Sequence, residues 1–377
     1  MPETPSPRVA LLFATSGHSG VDRVVTNLVR EFGHYSLEFD LLTLRGHGPY
    51  IDDLPPNVRR VPLRAAHRNT ALPALIAYLL RHRPQALYTA SHRLNRTALL
   101  ARRLARPGMP VAIRMGMSIS ATLAEMKPHR ARRLQRSMQR WYPQANAVIA
   151  PSEGVGHDLR TLVGVPDDLL HVIPNPIVTT RLHEQAREPT GEPWLDDESR
   201  EVPVILGAGS LEPRKDFATL IRAFAEVRRQ RAARLIILGE GREREALERL
   251  ARELGVQQHL RLPGFRSNPY AWMSRADVFA MTSRREGSGA VLVEALACGT
   301  PALTANCPTG PAEILDNGRL GPVVGVADPE GVARGLVQLL DAPPSPTSLR
   351  QAVAPFDASL SAVSYLKALD LSHSETE

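Results

Sequence analysis

The sequence contains little cysteine and no obvious metal site. Its 377 residues include two cysteines, Cys298 and Cys307, which lie in one short segment. Their spacing matches no zinc-binding pattern, and a disulfide framework needs more cysteines. No group of His, Asp and Glu has the spacing of metal ligands either. We therefore predict buried or loop thiols and a reducing, cytoplasmic setting.

Long apolar runs are also missing. No stretch reaches the roughly 20 apolar residues that a membrane-spanning helix needs; residues 74–80 are apolar but bounded by Pro73 and Arg81. No basic segment precedes the first apolar run, so no signal peptide is predicted. With 377 residues and 43% apolar content, the chain is expected to form two globular domains.

Lysine is scarce, and the charge is distributed unevenly. Lys127, Lys215 and Lys367 are the only lysines, so nearly all of the 46 basic residues are arginines. Residues 1–180 hold 23 basic and 12 acidic residues, a net charge of +11, whereas the rest of the chain carries −4. A basic first half predicts an anionic partner, with nucleic acid and an anionic membrane surface as candidates.

The most basic stretch is residues 126–141. Leu134, Met138 and Trp141 recur there at helical spacing, which predicts a helix with one apolar face. A surface helix with solvated charges is one interpretation. The other is a helix that makes peripheral contact with anionic lipid at the inner face of the membrane. Nucleic-acid binding is the least favoured, because no aromatic platform or recognition motif accompanies the charge.

Strand-like and helix-like segments alternate along both halves. Residues 9–14 form an apolar run that leads into a glycine loop and then a helical pattern over 21–32. The second half restarts with a strand at 202–207. This alternation predicts an α/β architecture of parallel sheets covered by helices on both faces. Residues 178–200 are polar and contain prolines, and we interpret them as a linker between the halves.

The sequence is organised around residues 283–301, a polar loop with two glycines that runs into an apolar helical segment stopped by Gly299 and Pro301. A glycine loop at a helix N-terminus suits a phosphate. Glu286 lies in the loop and Glu294 about one turn inside the helix, where carboxylates can accept hydroxyl groups. A ligand with a central diphosphate and a sugar at each end fits both features. The alternative is a helix start with a capping acid and a solvated Glu294.

A second glycine turn lies at residues 207–217. Arg214 and Lys215 follow Gly209 and Ser210 there, ahead of a predicted helix. An arginine fork and a lysine point charge beside a glycine turn suit a diphosphate. Two solvated basic residues before a helix are the alternative.

These motifs resemble glycosyltransferase family 4, whose retaining enzymes have the GT-B fold. The resemblance is carried by the E-x7-E spacing of Glu286 and Glu294 and by Lys215 after its glycine turn. The continuation at residues 306–315 is similar to enzymes that build bacterial surface polysaccharides.

The resemblance implies two Rossmann-like βαβ domains that face each other across a cleft. Residues 1–180 form the acceptor domain and residues 181–350 the nucleotide-sugar donor domain. A C-terminal helix at 355–370 packs back on the first domain.

The implied activity moves a hexose-type sugar, with retention of configuration, from a nucleoside-diphosphate sugar to a hydroxyl of a glycan or lipid-linked acceptor. A UDP-sugar is the preferred donor, and polysaccharide or glycoconjugate biosynthesis is the implied process. By the resemblance, Glu286 binds the donor sugar hydroxyls and Glu294 the ribose hydroxyls. Backbone groups of residues 287–291 and Lys215 stabilise the departing diphosphate, whose charge grows in the transition state. No metal and no other cofactor is implied.

The resemblance assigns the remaining site residues as well. Catalytic roles fall to Glu286 and Lys215. The donor-binding residues are Gly209, Ser210, Arg214, Lys215, Gly239, Gly264, Phe265, Arg266, Gly287, Ser288, Gly289, Ala290, Val291 and Glu294. The acceptor-side residues are Gly17, His18, Gly20 and Arg114.

Two positions depart from the family pattern. Ser210 stands where relatives have a basic residue, and Arg214 or an arginine of the first half is expected to compensate. Relatives also carry a histidine after the strand at 111–114, where this chain has Arg114 and Met115, so no general base is assigned. A catalytically weak, nucleotide-sugar-binding regulatory protein is the alternative function. A GT-B epimerase or phosphorylase accounts less well for the E-x7-E spacing.

Overall fold

The computed structural model describes residues 8–14, 20–48, 51–65 and 70–371. The chain divides into two compact units. Unit 1 comprises the residues up to Ile177 and those from Phe356 onward, and unit 2 comprises Val178–Pro355. The sequence predicts this division after residue 180, close to the observed boundary at Ile177.

Unit 1 is built on a parallel sheet. The strands in its described residues are β1 (Arg8–Leu12), β2 (Glu38–Thr43), β3 (Val58–Pro62), β4 (Ala86–Ala90), β5 (Val111–Arg114), β6 (Ala147–Ala150) and β7 (Leu170–Val172). Their order is β3-β2-β1-β4-β5-β6-β7, and neighbouring strands are parallel. The order reverses between β1 and β4, so the carboxyl ends of these two strands form a topological switch point.

Helices cover both faces of this sheet. In the described residues they are α1 (Gly20–Glu31), α2 (Ala71–His82), α3 (His92–Ala105), α4 (Ile119–Ala124), α5 (Pro128–Trp141), α6 (Glu153–Asp158) and, after unit 2, α16 (Ala358–Lys367). One apolar core contains Leu75 of α2, Leu99 of α3 and Met138 of α5. A second core contains Val25 of α1 and Tyr365 of α16. The apolar alternation of the strands therefore supplies a core on each side of the sheet.

Unit 2 repeats this design. Its strands are β8 (Val204–Ala208), β9 (Arg234–Leu238), β10 (Leu260–Gly264), β11 (Val278–Met281), β12 (Ala302–Ala305) and β13 (Val323–Val324). They are parallel, in the order β10-β9-β8-β11-β12-β13. Counted from the first strand of each sheet, the order 3-2-1-4-5-6 is common to both units. The switch point of unit 2 lies at the carboxyl ends of β8 and β11.

The helices of unit 2 follow its strands. They are α7 (Thr180–Gln185), α8 (Pro193–Asp196), α9 (Phe217–Gln230), α10 (Arg244–Glu253), α11 (Tyr270–Arg275), α12 (Ala290–Ala297), α13 (Pro311–Ile314), α14 (Pro329–Asp341) and α15 (Pro346–Ala352). Phe224 of α9, Leu247 of α10 and Leu336 of α14 pack in one core. Helix α12 ends before Gly299, whose φ of +86° favours glycine, as the sequence predicts.

The interpretation of residues 178–200 as a linker is wrong. This segment belongs to unit 2 and contains α7 and α8. The guanidinium groups of Arg234 and Arg261 lie 5.0 and 4.0 Å from the ring centroid of Trp194, and Glu192 pairs with Arg261. Cation–π contacts and an ion pair thus hold a polar, proline-containing segment on the unit.

The basic stretch at 126–141 forms α5, as predicted. Met138 is buried, and Leu134 and Trp141 pack against the same core. The basic side chains lie on the opposite face, where Arg132 and Arg133 are exposed. The apolar face of α5 is therefore used by the fold, and its charges are solvated. No helix in the described part of the chain is long and apolar enough to cross a bilayer.

Candidate active site

The strongest cluster of predicted site residues lies at the switch point of unit 2. Ligands of parallel α/β sheets bind outside the carboxyl ends of the strands at such a point. Strand β8 leads there into Gly209 and Ser210, and β11 leads into the loop that contains Glu286. The topology therefore brings together two motifs that are about 70 residues apart in sequence.

Lys215 and Glu286 form an ion pair at this point. The ammonium of Lys215 donates to Glu286 Oε1, and the two side chains are 10% and 12% exposed. The hydroxyl of Ser283 donates to the same carboxylate oxygen at 2.7 Å. Buried charges are stable only when paired and hydrogen-bonded. The structure thus brings together both residues that the sequence analysis named as catalytic.

The environment keeps Glu286 ionised. Burial alone would raise the pKa of this carboxyl group, but the charge and hydrogen bond of Lys215 and the hydroxyl of Ser283 lower the pKa below its ordinary value. Glu286 is therefore a hydrogen-bond acceptor at neutral pH, with no proton of its own to donate.

Glycine is required at two positions beside the pair. Gly239 has a φ of +134°, and a Cβ there would lie 1.9 Å from the carbonyl oxygen of Gly209. At Gly209, with a φ of +154°, a Cβ would lie 3.0 Å from Cε of Lys215. The backbones of the two turns can therefore lie this close only because neither residue carries a Cβ atom. The aliphatic part of the Lys215 side chain packs against Gly209.

Arg214 reaches Ser210. Its Nη2 donates to the Ser210 hydroxyl at 3.2 Å, and its Nε lies 3.3 Å from Glu212 Oε2. The charge of Arg214 also contributes to the lowered pKa of Glu286. The guanidinium of Arg214 thus lies beside Ser210, the position at which the family resemblance expects a basic residue.

A second layer of residues, which the sequence does not predict, holds Lys215 in place. Asp216 has a φ of +51°, and its carboxylate accepts from Arg284 Nε at 2.9 Å and from the Thr219 hydroxyl at 2.9 Å. The Thr282 hydroxyl donates to the carbonyl of Asp216 at 3.0 Å. The available signal was the run of polar residues that starts directly after β11.

The glycine loop from residue 286 to 289 is supported from residues 309 and 310. The Thr309 hydroxyl donates to the carbonyl of Glu286 at 3.5 Å, and a Cβ on Gly310 would lie 3.2 Å from Cα of Ser288. Gly289, with a φ of +61°, precedes α12. Glu294 is 2% exposed within α12, which contradicts the alternative of a solvated side chain.

Of the other predicted donor-binding residues, Gly264 lies beside the glycine turns, whereas the side chains of Phe265 and Arg266 lie outside the ion-paired cluster. Gly264 accepts a hydrogen bond from the backbone of Gly239 at 2.9 Å, so it lies beside the glycine turns. Phe265 is 58% exposed, and the guanidinium of Arg266 lies 5.5 Å from the ring centroid of Trp272. These two side chains border the site rather than forming the ion-paired cluster.

The acceptor-side residues belong to unit 1. Gly17 and His18 lie outside the described residues, and Gly20 begins α1. Arg114 ends β5 and is 6% exposed, and its Nη2 donates to Asn175 Oδ1 at 2.5 Å. The described residues contain no group of three or more His, Cys, Asp and Glu side chains that could hold a metal ion.

Both cysteines are buried. Burial, with a smaller contribution from Glu294, raises the pKa of Cys298 to about 12. Burial, with a contribution from Glu286, raises the pKa of Cys307 to about 11. Both groups are therefore neutral thiols at physiological pH.

Models of two protein families match the chain. The model described as Glycosyltransferase Family 4 matches residues 18–181, and the model described as Glycosyl transferases group 1 matches residues 196–354. One model therefore covers most of each unit.

Curated relatives are similar over part of the chain. N-acetylgalactosamine-N,N'-diacetylbacillosaminyl-diphospho-undecaprenol 4-alpha-N-acetylgalactosaminyltransferase of Campylobacter jejuni is 30% identical over 200 residues, 53% of this chain and 52% of the relative. The lipopolysaccharide core biosynthesis glycosyltransferase LpsE of Rhizobium meliloti is 35% identical over 144 residues, 38% of this chain and 41% of the relative. The chain thus spans about half, or less, of the length of these relatives.

Solved structures share the fold over nearly the whole chain. The apo form of the lipopolysaccharide outer core galactosyltransferase WaaB has a TM-score of 0.73 at 18% identity, covering 96% of this chain and 99% of its own. HepE of Anabaena in complex with UDP-glucose has a TM-score of 0.68 at 17% identity, covering 97% of both chains. The two parallel α/β units are those of the GT-B fold.

Proposed function

We propose, from the premise that the chain belongs to glycosyltransferase family 4, that it transfers a hexose-type sugar from a nucleoside-diphosphate sugar to a hydroxyl of a glycan or lipid-linked acceptor. A UDP-sugar is the preferred donor, and the anomeric configuration is retained. The process is the synthesis of a polysaccharide or another glycoconjugate. One relative is named for a diphospho-undecaprenol compound and another for lipopolysaccharide core biosynthesis, and both names support this acceptor class.

The observation that carries the proposal is the Lys215–Glu286 pair at the switch point of unit 2. A buried ammonium group and a buried, ionised carboxylate offer a donor to phosphate oxygens and an acceptor to sugar hydroxyls. A nucleoside-diphosphate sugar contains both groups next to each other. We assign the diphosphate to Lys215 and Arg214 and the sugar hydroxyls to Glu286.

The reaction exchanges one bond at the anomeric carbon for another. The bond to the diphosphate breaks and the diphosphate takes the electron pair. The oxygen of the acceptor hydroxyl forms the new bond and gives its proton to the departing diphosphate. Negative charge therefore grows on the diphosphate in the transition state. We assign the stabilisation of that charge to Lys215, Arg214 and the backbone N–H groups at the start of α12, so these groups are proposed to act on the rate more than on donor binding. We propose that these groups serve in place of a metal ion.

The first experiment measures nucleoside diphosphate release from a panel of UDP-, GDP- and ADP-sugars, with bacterial cell extract as the source of acceptor. The wild type is compared with Glu286→Gln. Glu330→Gln is the matched control, because Glu330 is an exposed glutamate on α14 of the same unit. Release from one donor that is lost in Glu286→Gln and kept in Glu330→Gln supports the proposal and identifies the donor class.

Two outcomes contradict it. Equal release by Glu286→Gln and the wild type would remove Glu286 from the reaction. Tight nucleotide binding without release from any donor, even with extract, would identify the chain as a nucleotide-sugar-binding regulatory protein of the same fold.

A further inference from the structure

Unit 1 has a switch point of its own, at the carboxyl ends of β1 and β4. Because the strand order is the same in both units, this edge corresponds to the one that carries Lys215 and Glu286 in unit 2. Strand β4 ends at Ala90, which lies beside Arg114 in the register with β5. Ser91 and Arg114 are therefore neighbours along one edge of the sheet.

Ser91 has an unusual backbone conformation and a buried hydroxyl oxygen. Its φ of 80° and ψ of 139° lie in a region that favours glycine. Its buried Oγ has no hydrogen-bond partner among the described residues. Residues in such conformations persist when the surrounding structure enforces them, and they concentrate at binding sites. Ser91 also precedes α3, a 14-residue helix whose first N–H groups lack acceptors within the helix.

Arg114 is a buried cation whose hydrogen-bond partner among the described residues, Asn175, is neutral. It is 6% exposed, its Nη2 donates to the amide oxygen of Asn175, and its Nε has no partner among the described residues. No described carboxylate forms an ion pair with it. Burying a guanidinium without a carboxylate partner destabilises the fold. A negatively charged group of a ligand would pair with it and offset that loss.

Asn95 connects the two residues. Its backbone N–H donates to the carbonyl of Ser91 at 2.8 Å, and its Nδ2 donates to the carbonyl of Arg114 at 3.1 Å. The side chain is fully buried, and its Oδ1 has no partner in the described part of the chain. The first turn of α3 is thus fixed against the end of β5, which keeps Ser91 beside Arg114.

The sequence around Ser91 and Arg114 is strongly basic, which also favours a negatively charged ligand. Residues 54–152 contain 18 lysines and arginines and a single acidic residue, Glu125. Arg93 and Arg96 are exposed on the first turns of α3, where the helix dipole is also positive. An anion at this edge would meet positive charge from the side chains and from the helix end.

A structural role accounts for part of this arrangement. Arg114 joins β5 to Asn175. It also lies near Tyr365 of α16, where its positive charge lowers the pKa of the tyrosine against the burial that raises it. A neutral hydrogen-bonding side chain would make the same connection without a buried charge. The connection therefore leaves the charge of Arg114 and the hydroxyl of Ser91 unexplained.

We propose that the carboxyl ends of β4 and β5 form an oxyanion subsite, in which Arg114 and Ser91 bind a phosphate or carboxylate group of the acceptor. This inference rests on the proposed function, because it assigns the acceptor a negatively charged group. Arg114 supplies the charge and Ser91 a hydroxyl donor. Gly116 leaves room for the guanidinium, since a Cβ at that position would lie 2.7 Å from Arg114 Nη1.

The test measures binding of inorganic phosphate by 31P NMR line broadening, with the full chain first saturated with UDP. UDP occupies the site in unit 2, so the remaining binding reports on unit 1. Acetate is then added as a competitor, because its displacement of phosphate separates a general oxyanion site from one that selects phosphate. Failure of UDP to bind would count against the proposed function, whereas the phosphate result decides the subsite.

The variants are Arg114→Gln, Arg114→Lys and Ser91→Ala, with Arg103→Gln on the exposed face of α3 as the matched control. We expect phosphate binding to weaken by about tenfold or more in Arg114→Gln. Arg114→Lys should retain part of the affinity, Ser91→Ala should lose part of it, and Arg103→Gln should not change. If Arg114→Gln does not fold, Ser91→Ala decides.

Two results would overturn the subsite. One is the absence of saturable phosphate and acetate binding in the UDP-saturated wild type. The other is equal binding in the wild type and the folded variants, which would leave Arg114 as a purely structural connection to Asn175 and α16.

Discussion

At the scale of single residues, a lysine and a glutamate that are each about one-tenth exposed are stable as ions only if they pair. The pair in unit 2 also receives the hydroxyl of Ser283. A donor diphosphate would compete with Glu286 for the ammonium of Lys215. When the ammonium of Lys215 binds the diphosphate, the carboxylate of Glu286 should therefore become available to accept hydrogen bonds from sugar hydroxyls.

Arg214 is expected to supply the positive charge that Ser210 lacks. Its guanidinium donates to the Ser210 hydroxyl, so an arginine at position 210 would place its charge in the same region. Arg214→Ala should lower kcat/KM for the active donor by about tenfold to a hundredfold. The double variant Ser210→Arg with Arg214→Ala should recover a substantial part of that loss, measured by nucleoside diphosphate release.

The exposed Arg242 provides the matched control. Arg242→Ala should keep the wild-type kcat/KM. A double variant no more active than Arg214→Ala would show that the two positions do not share one role.

Glu286 should also make stability depend on pH in a defined direction. Its pKa is lower in the folded chain than the ordinary 4.5, so its contribution is fully present above about pH 4.5 and is lost as the pH falls through the folded value. At pH 7, Glu286→Gln should lower the free energy of unfolding by up to about 3 kcal/mol, because Lys215 loses its charged partner. The difference between variant and wild type should shrink below about pH 4.5.

Urea unfolding at a series of pH values measures this difference. Glu330→Gln, on an exposed helix position, should show no pH-dependent difference from the wild type. An effect of Glu286→Gln that is the same at about pH 3 as at pH 7 would contradict the ionised pair.

Spacing in the sequence identified Lys215 and Glu286 but not the residues that support them. Ser283 precedes Glu286 by three positions, and its role depends on the direction of its side chain. The contact between Arg284 and Asp216 joins residues 68 apart. The steric requirement for Gly239 arises from a backbone on another strand. Such long-range contacts follow from the strand order, which spacing alone does not reveal.

At the scale of elements, apolar periodicity predicts the central helices and strands well. The sequence predicts a helix over 71–82 and strands over 111–114 and 278–281, and α2, β5 and β11 have these bounds. Strand β3 was not predicted, because it is an edge strand of mostly polar sequence with exposed arginines. The sequence predicts a helix over 97–104, but α3 begins five residues earlier, at His92, because its first turn is polar and carries little periodic signal.

Trp194 is expected to fix the segment that precedes β8. Removing its ring breaks the contacts with Arg234 and Arg261, so Trp194→Ala should lower the free energy of unfolding by about 1–3 kcal/mol. Trp194→Phe keeps an aromatic face and should lose less. Circular dichroism during urea unfolding measures both. An unchanged midpoint in Trp194→Ala would show that the ring does not contribute to holding this segment on unit 2.

At the scale of the whole molecule, the charge difference between the two halves was evident from composition alone. The structure adds that α5 exposes its arginines while its apolar face is occupied by the core of unit 1. A helix in this arrangement can attract anionic lipid through charge but has little apolar surface left to insert. Any membrane contact through α5 should therefore be electrostatic and should weaken as salt is added.

Co-sedimentation with vesicles of phosphatidylglycerol and phosphatidylcholine tests this contact. Arg132→Glu with Arg133→Glu should reduce the bound fraction several-fold. Arg249→Glu with Arg252→Glu, on the exposed face of α10 in unit 2, changes the net charge equally and should retain binding. Unchanged sedimentation of the α5 variant would remove this helix from the contact.

The three lysines of the chain have very different surroundings. Lys127 precedes α5 and Lys367 ends α16, both exposed in unit 1, whereas Lys215 of unit 2 is 9% exposed and paired. A reagent that acylates side-chain amines will therefore react with unit 1 and spare unit 2. Coupling the protein to a surface or a dye through its lysines should accordingly leave the donor-side chemistry unmodified, which gives a ready means of immobilising it in working form.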